Sequence, residues 1–229
     1  MKAAGDGTMR ASFPTLEGES VQGTPVCYIF GAGEHFPFPL GKNAGDFIIA
    51  ADGGYDALPA YGVTADLAVG DFDSLAVPAT ACESIILPKE KDDTDMAAAL
   101  REGEARGYRL FRILGGTGKR LDHTFGNIQL LAGLAEKGLR GYLYGEDTIV
   151  TAIRNTSVEF PKEARGIVSV FSHTDKCEGV YERGLRYALD DAALTNRVPV
   201  GVSNEFTGEP SIISVRSGTL VIIYPRMEE

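Results

Sequence analysis

"VCYIFGAG", Val26 to Gly33, puts five β-rich apolar or aromatic residues in a row and ends the run on glycines. A short unbroken run bounded by turn residues is the pattern of a strand buried on both faces, as in a parallel sheet. "FIIAADGG", Phe47 to Gly54, repeats the form. "DLAVGDFDSL" from Asp66, "SIILP" from Ser84, "YRLFRILGG" from Tyr108 and "LRGYLYG" from Leu139 carry it on. Helical patterns lie between several of them. "TDMAAALREGEARG" has Thr94 as N-cap and Gly107 as stop, and "LDHTFGNIQLLAGLAEKG" carries Leu121, Phe125, Ile128, Leu131 and Leu134 at three- and four-residue steps before Gly138. Strands alternating with helices predict an α/β fold, a largely parallel sheet covered on both faces.

Beyond Asp147 the helical periodicity stops. "TIVTAI", "SVEF", "IVSVFS", "KCEGVY", "SIISV" and "TLVIIYP" follow at close spacing with turn residues between them, the pattern of a small all-β antiparallel sandwich or barrel. Residues 1–22 mix Gly, Pro, Ser and charge without periodicity and read as a flexible N-terminal extension. The predicted organisation is therefore an extension over 1–22, a three-layer α/β domain over 23–150 and a β-sandwich over 151–229.

Charge narrows the function classes. The 229 residues hold 22 Lys and Arg against 32 Asp and Glu, a formal charge of −10. Such a balance argues against a nucleic-acid partner, because backbone binders carry clustered basic residues. Cys27, Cys82 and Cys177 are far apart and show no zinc-knuckle spacing, which fits a reducing cytoplasm. No run approaches the roughly 18 apolar residues of a membrane span, and no apolar segment of a signal peptide opens the sequence, so no membrane partner is expected.

The candidate chemistry sits at strand ends. In "VGDFDSL", Asp71 and Asp73 are two apart, so on an extended chain both project to one face, and two such carboxylates favour a shared proton or a bound cation such as Mg²⁺. From the residues alone this pair reads equally well as the start of a turn. Asp52 in "ADGG", the acids Asp92, Asp93 and Asp95 in "KEKDDTD", and Asp122 in "GGTGKRLDH" fall at the ends of other predicted strands. Singly, Asp52 with Gly53 and Gly54 reads as a turn with glycines at positive φ, and Thr94 with Asp95 as a helix start. "GGTGKR", residues 115–120, is a glycine-rich strand-to-helix connection able to offer backbone N–H groups to a phosphate beside Lys119 and Arg120, though it matches neither common nucleotide-loop signature. His123 is read as packing near its helix start.

Taken together, "ADGG", "VGDFDSL", "LPKEKDDTDMAAAL", "GGTGKRLDHTFGNIQLL", "GLRYAL" and "GVSNEF" resemble the thiamine pyrophosphokinase family in its bacterial form, in the family's order over Val26 to Tyr224. The resemblance implies a homodimer with active sites at the subunit interface and Mg²⁺-dependent transfer of pyrophosphate from ATP to thiamine. It implies metal and catalytic roles for Asp71, Asp73 and Asp95, with Asp122 also catalytic. ATP contacts are implied at Asp52, Lys91, Asp92, Gly115, Gly116, Gly118 and Arg120, and thiamine contacts at Asp122, His123, Ser203 and Asn204. Lys119 stands where the family commonly has glycine. Two other readings of the acids are a Mg²⁺-dependent phosphatase or phosphotransferase with Asp71 as nucleophile, and a thiamine or nucleotide sensor without turnover.

Overall fold

The computed structural model describes residues 24–71, 82–88 and 93–226, and the chain divides into two compact units that meet in sequence between Ala152 and Ile153. The predicted extension over 1–22 lies outside the described residues. Among the described residues, no helix is long and apolar enough to cross a membrane.

All six predicted strands of the first unit form. They are β1 (Val26–Phe30), β2 (Phe47–Ala51), β3 (Leu67–Gly70), β4 (Glu83–Ile86), β5 (Leu110–Leu114) and β6 (Arg140–Tyr144). They pair in parallel in the order β4-β3-β2-β1-β5-β6, and β7 (Thr148–Arg154) joins β6 antiparallel. Every residue of β1 is buried, as its unbroken apolar run requires. The chain thus starts mid-sheet at β1, walks outward to β4, then returns to the other side of β1 as β5. Strand order reverses between β1 and β5, and in open parallel sheets ligands gather at such a point, beyond the strands' carboxyl ends.

Strand register shows three layers. Cys27, Phe111 and Gly141 are successive partners across β1, β5 and β6, so these positions present the same face of the sheet. Helix α1 (Asp95–Ala105) brings Gly103 so close to that face that a Cβ there would sit 2.6 Å from the Phe111 ring. Helix α2 (Leu121–Glu136) rests Leu131 and Leu134 over Gly141. On the opposite face the Phe30 ring meets Tyr61 edge-on, with centroids 5.1 Å apart. Tyr61 ends a 3₁₀ helix, Asp52–Tyr61. Right-handed crossovers require this division, because β2 to β3 runs one way across the sheet while β4 to β5 and β5 to β6 run the other.

Helix starts and stops largely follow their sequence signals. Thr94 Oγ1 accepts a hydrogen bond from Ala97 N at 3.1 Å, an N-cap worth about 1 kcal/mol, and Gly107 and Gly138 adopt positive φ past the two helix ends. Two expectations are corrected. Instead of a glycine turn at positive φ, the Asp52 stretch opens the 3₁₀ helix with Asp52 itself at φ 47°. The stripe along α2 is only half used: Leu131 and Leu134 are buried, but Leu121 and Phe125 are 83% and 61% exposed because the front of α2 lies beyond the strand it covers.

Among the described residues of the second unit, the strands after β7 pair antiparallel with one another. β9 (Ile167–Ser172) pairs on either side with β12 (Gly201–Glu205) and β14 (Thr219–Pro225). A second sheet runs β11-β10-β13-β8, from β11 (Leu189–Thr195) and β10 (Lys176–Arg183) through β13 (Ser211–Ser217) to β8 (Ser157–Phe160). Phe160 of β8 meets Tyr224 of β14 at 5.1 Å and Phe206 at 5.0 Å, which packs one sheet on the other as a sandwich.

Candidate active site

Past the ends of β1 and β5 the two segments stay zipped together. Gly31 N donates to Leu114 O at 2.8 Å, Gly33 N to Gly115 O at 2.7 Å, and Glu34 N to Thr117 O at 2.9 Å. Glycine is required for this approach: a Cβ on Gly31 would lie 2.6 Å from Gly115 O. The result is a pair of glycine-rich loops held side by side at the reversal point of the sheet.

Two side chains support the β5 loop. His35 packs where a Cβ on Gly115 would lie, and its Nε2 bonds Gly31 O at 2.8 Å. Burial lowers the His35 pKa, so the ring is neutral and that nitrogen carries the donated proton. From the other side buried Asn127 of α2 donates Nδ2 to Gly116 O at 2.7 Å. Neither residue was singled out from the sequence. Asn127 had one usable signal, an amide on the buried side of an otherwise apolar helix, which must find a partner.

The loops wall a cleft of about 390 Å³. Asp52, at the start of the 3₁₀ helix, and Asp95, in the first turn of α1, line it together with Gly115, Gly116, Gly118, Arg120 and His123. Asp71 directly follows Gly70, and a Cβ on Gly70 would lie 3.1 Å from Asp52 Cα, so the ends of β2 and β3 are adjacent. Asp93, also in the cleft wall, is paired with Arg101. Predicted residues Asp73, Lys91 and Asp92 lie outside the described residues. Arg120 grips Asp122 through two nitrogens, Nε at 3.2 Å from Oδ1, and that bond holds the Asp122 carboxyl below the usual carboxylate range. Both side chains are about two-thirds exposed.

The carboxylates of this region are hard oxygen donors, the kind that suits Mg²⁺. Among the described residues, no three His, Cys, Asp or Glu side chains converge into a ready metal cluster.

In the second unit Ser203 and Asn204 have different surroundings. Ser203 is exposed at φ 60°, and its N–H donates to Ser169 Oγ at 3.1 Å. Asn204 is buried, and its amide is committed: Oδ1 accepts from Tyr187 N and Glu205 N, both at 2.9 Å, while Nδ2 donates to Tyr187 O at 2.7 Å and Glu182 Oε2 at 2.6 Å. These bonds, with the Leu185–Phe206 bridge, tie "GLRYAL" to "GVSNEF". Glu182 is only 1% exposed, and burial pushes its carboxyl pKa up. The sequence offered no signal for Glu182.

Two family models match the chain in order: the thiamin pyrophosphokinase catalytic domain over residues 40–143 and the thiamin pyrophosphokinase vitamin B1 binding domain over residues 155–220. The chain is 26% identical over 182 residues to a thiamine pyrophosphokinase of Bacillus subtilis, covering 76% of this chain and 85% of that one. Among solved structures it resembles a thiamin pyrophosphokinase family protein from Enterococcus faecalis at 27% identity and TM-score 0.74, covering 90% of this chain and all of the other. A thiamine pyrophosphokinase from Bacillus subtilis shares the fold at TM-score 0.79 and 24% identity, covering 88% of this chain and 99% of its own. The two domain matches together span most of the sequence and fall one on each compact unit, and the chain belongs to the thiamin pyrophosphokinase family, thiamine diphosphokinases that transfer pyrophosphate to thiamine.

Proposed function

We propose that the cleft binds ATP with Mg²⁺ and that the chain transfers the β- and γ-phosphoryl groups together to the hydroxyl of thiamine. The observation that carries this reading is the zipped pair of glycine loops, which opens at the start of α2 beside Lys119 and Arg120 and faces Asp52 and Asp95 across the cleft. Backbone N–H groups at a helix start suit a polyphosphate, and preformed loops lose little freedom when it binds.

In the proposed reaction the thiamine oxygen forms a bond to the β-phosphorus, and the bond from that phosphorus to the oxygen shared with the α-phosphorus breaks. AMP leaves with that oxygen, and the hydroxyl proton passes to a carboxylate of the cleft. Asp71, Asp73 and Asp95 would hold the Mg²⁺, which neutralises phosphate charge. Arg120, oriented by Asp122, aims a guanidinium at the phosphates, and His123 lines the same opening. Ser203 offers its exposed hydroxyl to thiamine, while Asn204 holds the turn in which Ser203 stands. The reading also carries a homodimer in the cytoplasm, in keeping with three free thiols.

The test is Asp71→Asn in the purified protein. Turnover with Mg²⁺, ATP and thiamine should fall by at least about a hundredfold while thiamine affinity stays within a few fold. Full activity in that variant would overturn the metal assignment.

A further inference from the structure

Lys119 adopts φ 48°, in the left-handed region where a lysine is strained and glycine is not. Its side chain crosses from the β5 loop to the β1 loop, and Nζ donates to Ala32 O at 2.9 Å. Both Lys119 and Ala32 line the cleft.

The charges around it differ from one another. Arg120 is engaged by Asp122 through two hydrogen bonds, and Asp93 on the cleft wall is engaged by Arg101. Among the described residues, the Lys119 ammonium is held by a neutral carbonyl oxygen and by no carboxylate. Its charge is therefore not taken up in a direct ion pair, although the Glu34 carboxylate packs against the neighbouring Gly118 and Asp52 and Asp95 line the same cleft. A bond from an ammonium to a phosphate oxygen is stronger than one to a neutral carbonyl, because both partners are charged.

We propose that Lys119 is a polyphosphate-binding residue of this chain, which exchanges the Ala32 carbonyl for an oxygen of the triphosphate when nucleotide enters. This rests on the reading of the cleft as a triphosphate site and adds a residue that a glycine at this position could not supply. The exchange moves the ammonium by a side-chain rotation and leaves the backbone bonds between the two loops in place. The lysine thus serves the phosphates beyond the nucleoside. A residue acting only as a latch between the loops would affect every occupant of the cleft alike.

The experiment compares the wild-type protein with Lys119→Met, Lys119→Gly and Lys119→Arg by calorimetric titration of Mg-ATP, AMP and inorganic tripolyphosphate. Lys119→Gly places glycine at a φ it favours, so loss of folding does not mask the result. Met and Gly should weaken Mg-ATP and tripolyphosphate about tenfold, with AMP changed less than about twofold and Arg close to wild type. Equal weakening of ATP and AMP, or no change in either, would overturn the proposal. Failure of the wild-type protein to bind tripolyphosphate or ATP would overturn it too. A wild-type protein that binds tripolyphosphate through Lys119 yet forms no thiamine pyrophosphate would refute the proposed reaction and uphold the lysine.

Discussion

Asn127 on α2 reaches back eleven residues to donate a 2.7 Å hydrogen bond to the carbonyl of Gly116, so the helix that follows the glycine loop also fixes the loop's shape. The amide is buried, and Gly116 packs so closely that a Cβ there would lie 3.1 Å from Asn127 Nδ2. Asn127→Ala leaves the buried carbonyl without this donor, a cost of about 1–3 kcal/mol. Asn127→Asp is the sharper change, because a carboxylate cannot donate and would face the carbonyl oxygen. Urea unfolding should show the Asp variant less stable than the Ala variant, and both should raise the KM for ATP more than that for thiamine.

Gly115 cannot accept a side chain. It sits at φ 63°, and a Cβ would meet the His35 ring and the Gly31 carbonyl. Gly115→Ala must therefore part the two loops or displace His35. The variant should keep its far-ultraviolet circular dichroism while losing most of its nucleotide affinity, as read by titration with Mg-ATP. Wild-type affinity in Gly115→Ala would show that the loops need not stay zipped.

Glu182 gives a pH dependence with a definite sign. Burial raises its folded-state pKa above the ordinary 4.5, and the hydrogen bond from Asn204 only partly opposes this. The folded state then binds the proton more tightly than the unfolded chain, so ionisation of Glu182 costs stability as pH rises from about 4.5 through its folded value. Glu182→Gln keeps an oxygen for Asn204 Nδ2 and removes the ionisation. It should be more stable than wild type at pH 8, with the difference closing as pH falls toward 4.5, measured by urea midpoints across that range. An equal difference at both ends would contradict the assignment.

Nucleotide and thiamine affinities should also respond differently at Ser203. Ser203 is exposed and its backbone is anchored through its own N–H to Ser169, so Ser203→Ala removes the proposed thiamine contact with little strain beyond that already present at φ 60°. The KM for thiamine should rise several fold with the KM for ATP unchanged, and stability should move by less than about 0.5 kcal/mol.

What could be read from the sequence depended on how local the cause was. β1, β2 and β5 were legible because buried parallel strands are apolar on both faces, and α1 because Thr94 and Gly107 mark its ends. The gathering of Asp52 and Asp95 at one opening was legible too, since parallel strands put all their carboxyl ends on one edge. β11 and β12 were not: Asp190 and Asp191 interrupt the first, and Ser203 at positive φ the second, and both are edge strands with exposed residues. The exposed front of α2 was hidden because periodicity reports a stripe and not what covers it. The supports at His35 and Asn127, and the commitment of every hydrogen-bonding position of the Asn204 amide, depend on partners that only the fold brings near.

Product analysis tests the central claim most directly. Purified protein incubated with Mg²⁺, ATP and thiamine should yield AMP and thiamine pyrophosphate in equal amounts, because attack falls on the β-phosphorus. ADP with thiamine monophosphate would contradict the account, since it would place the attack on the γ-phosphorus.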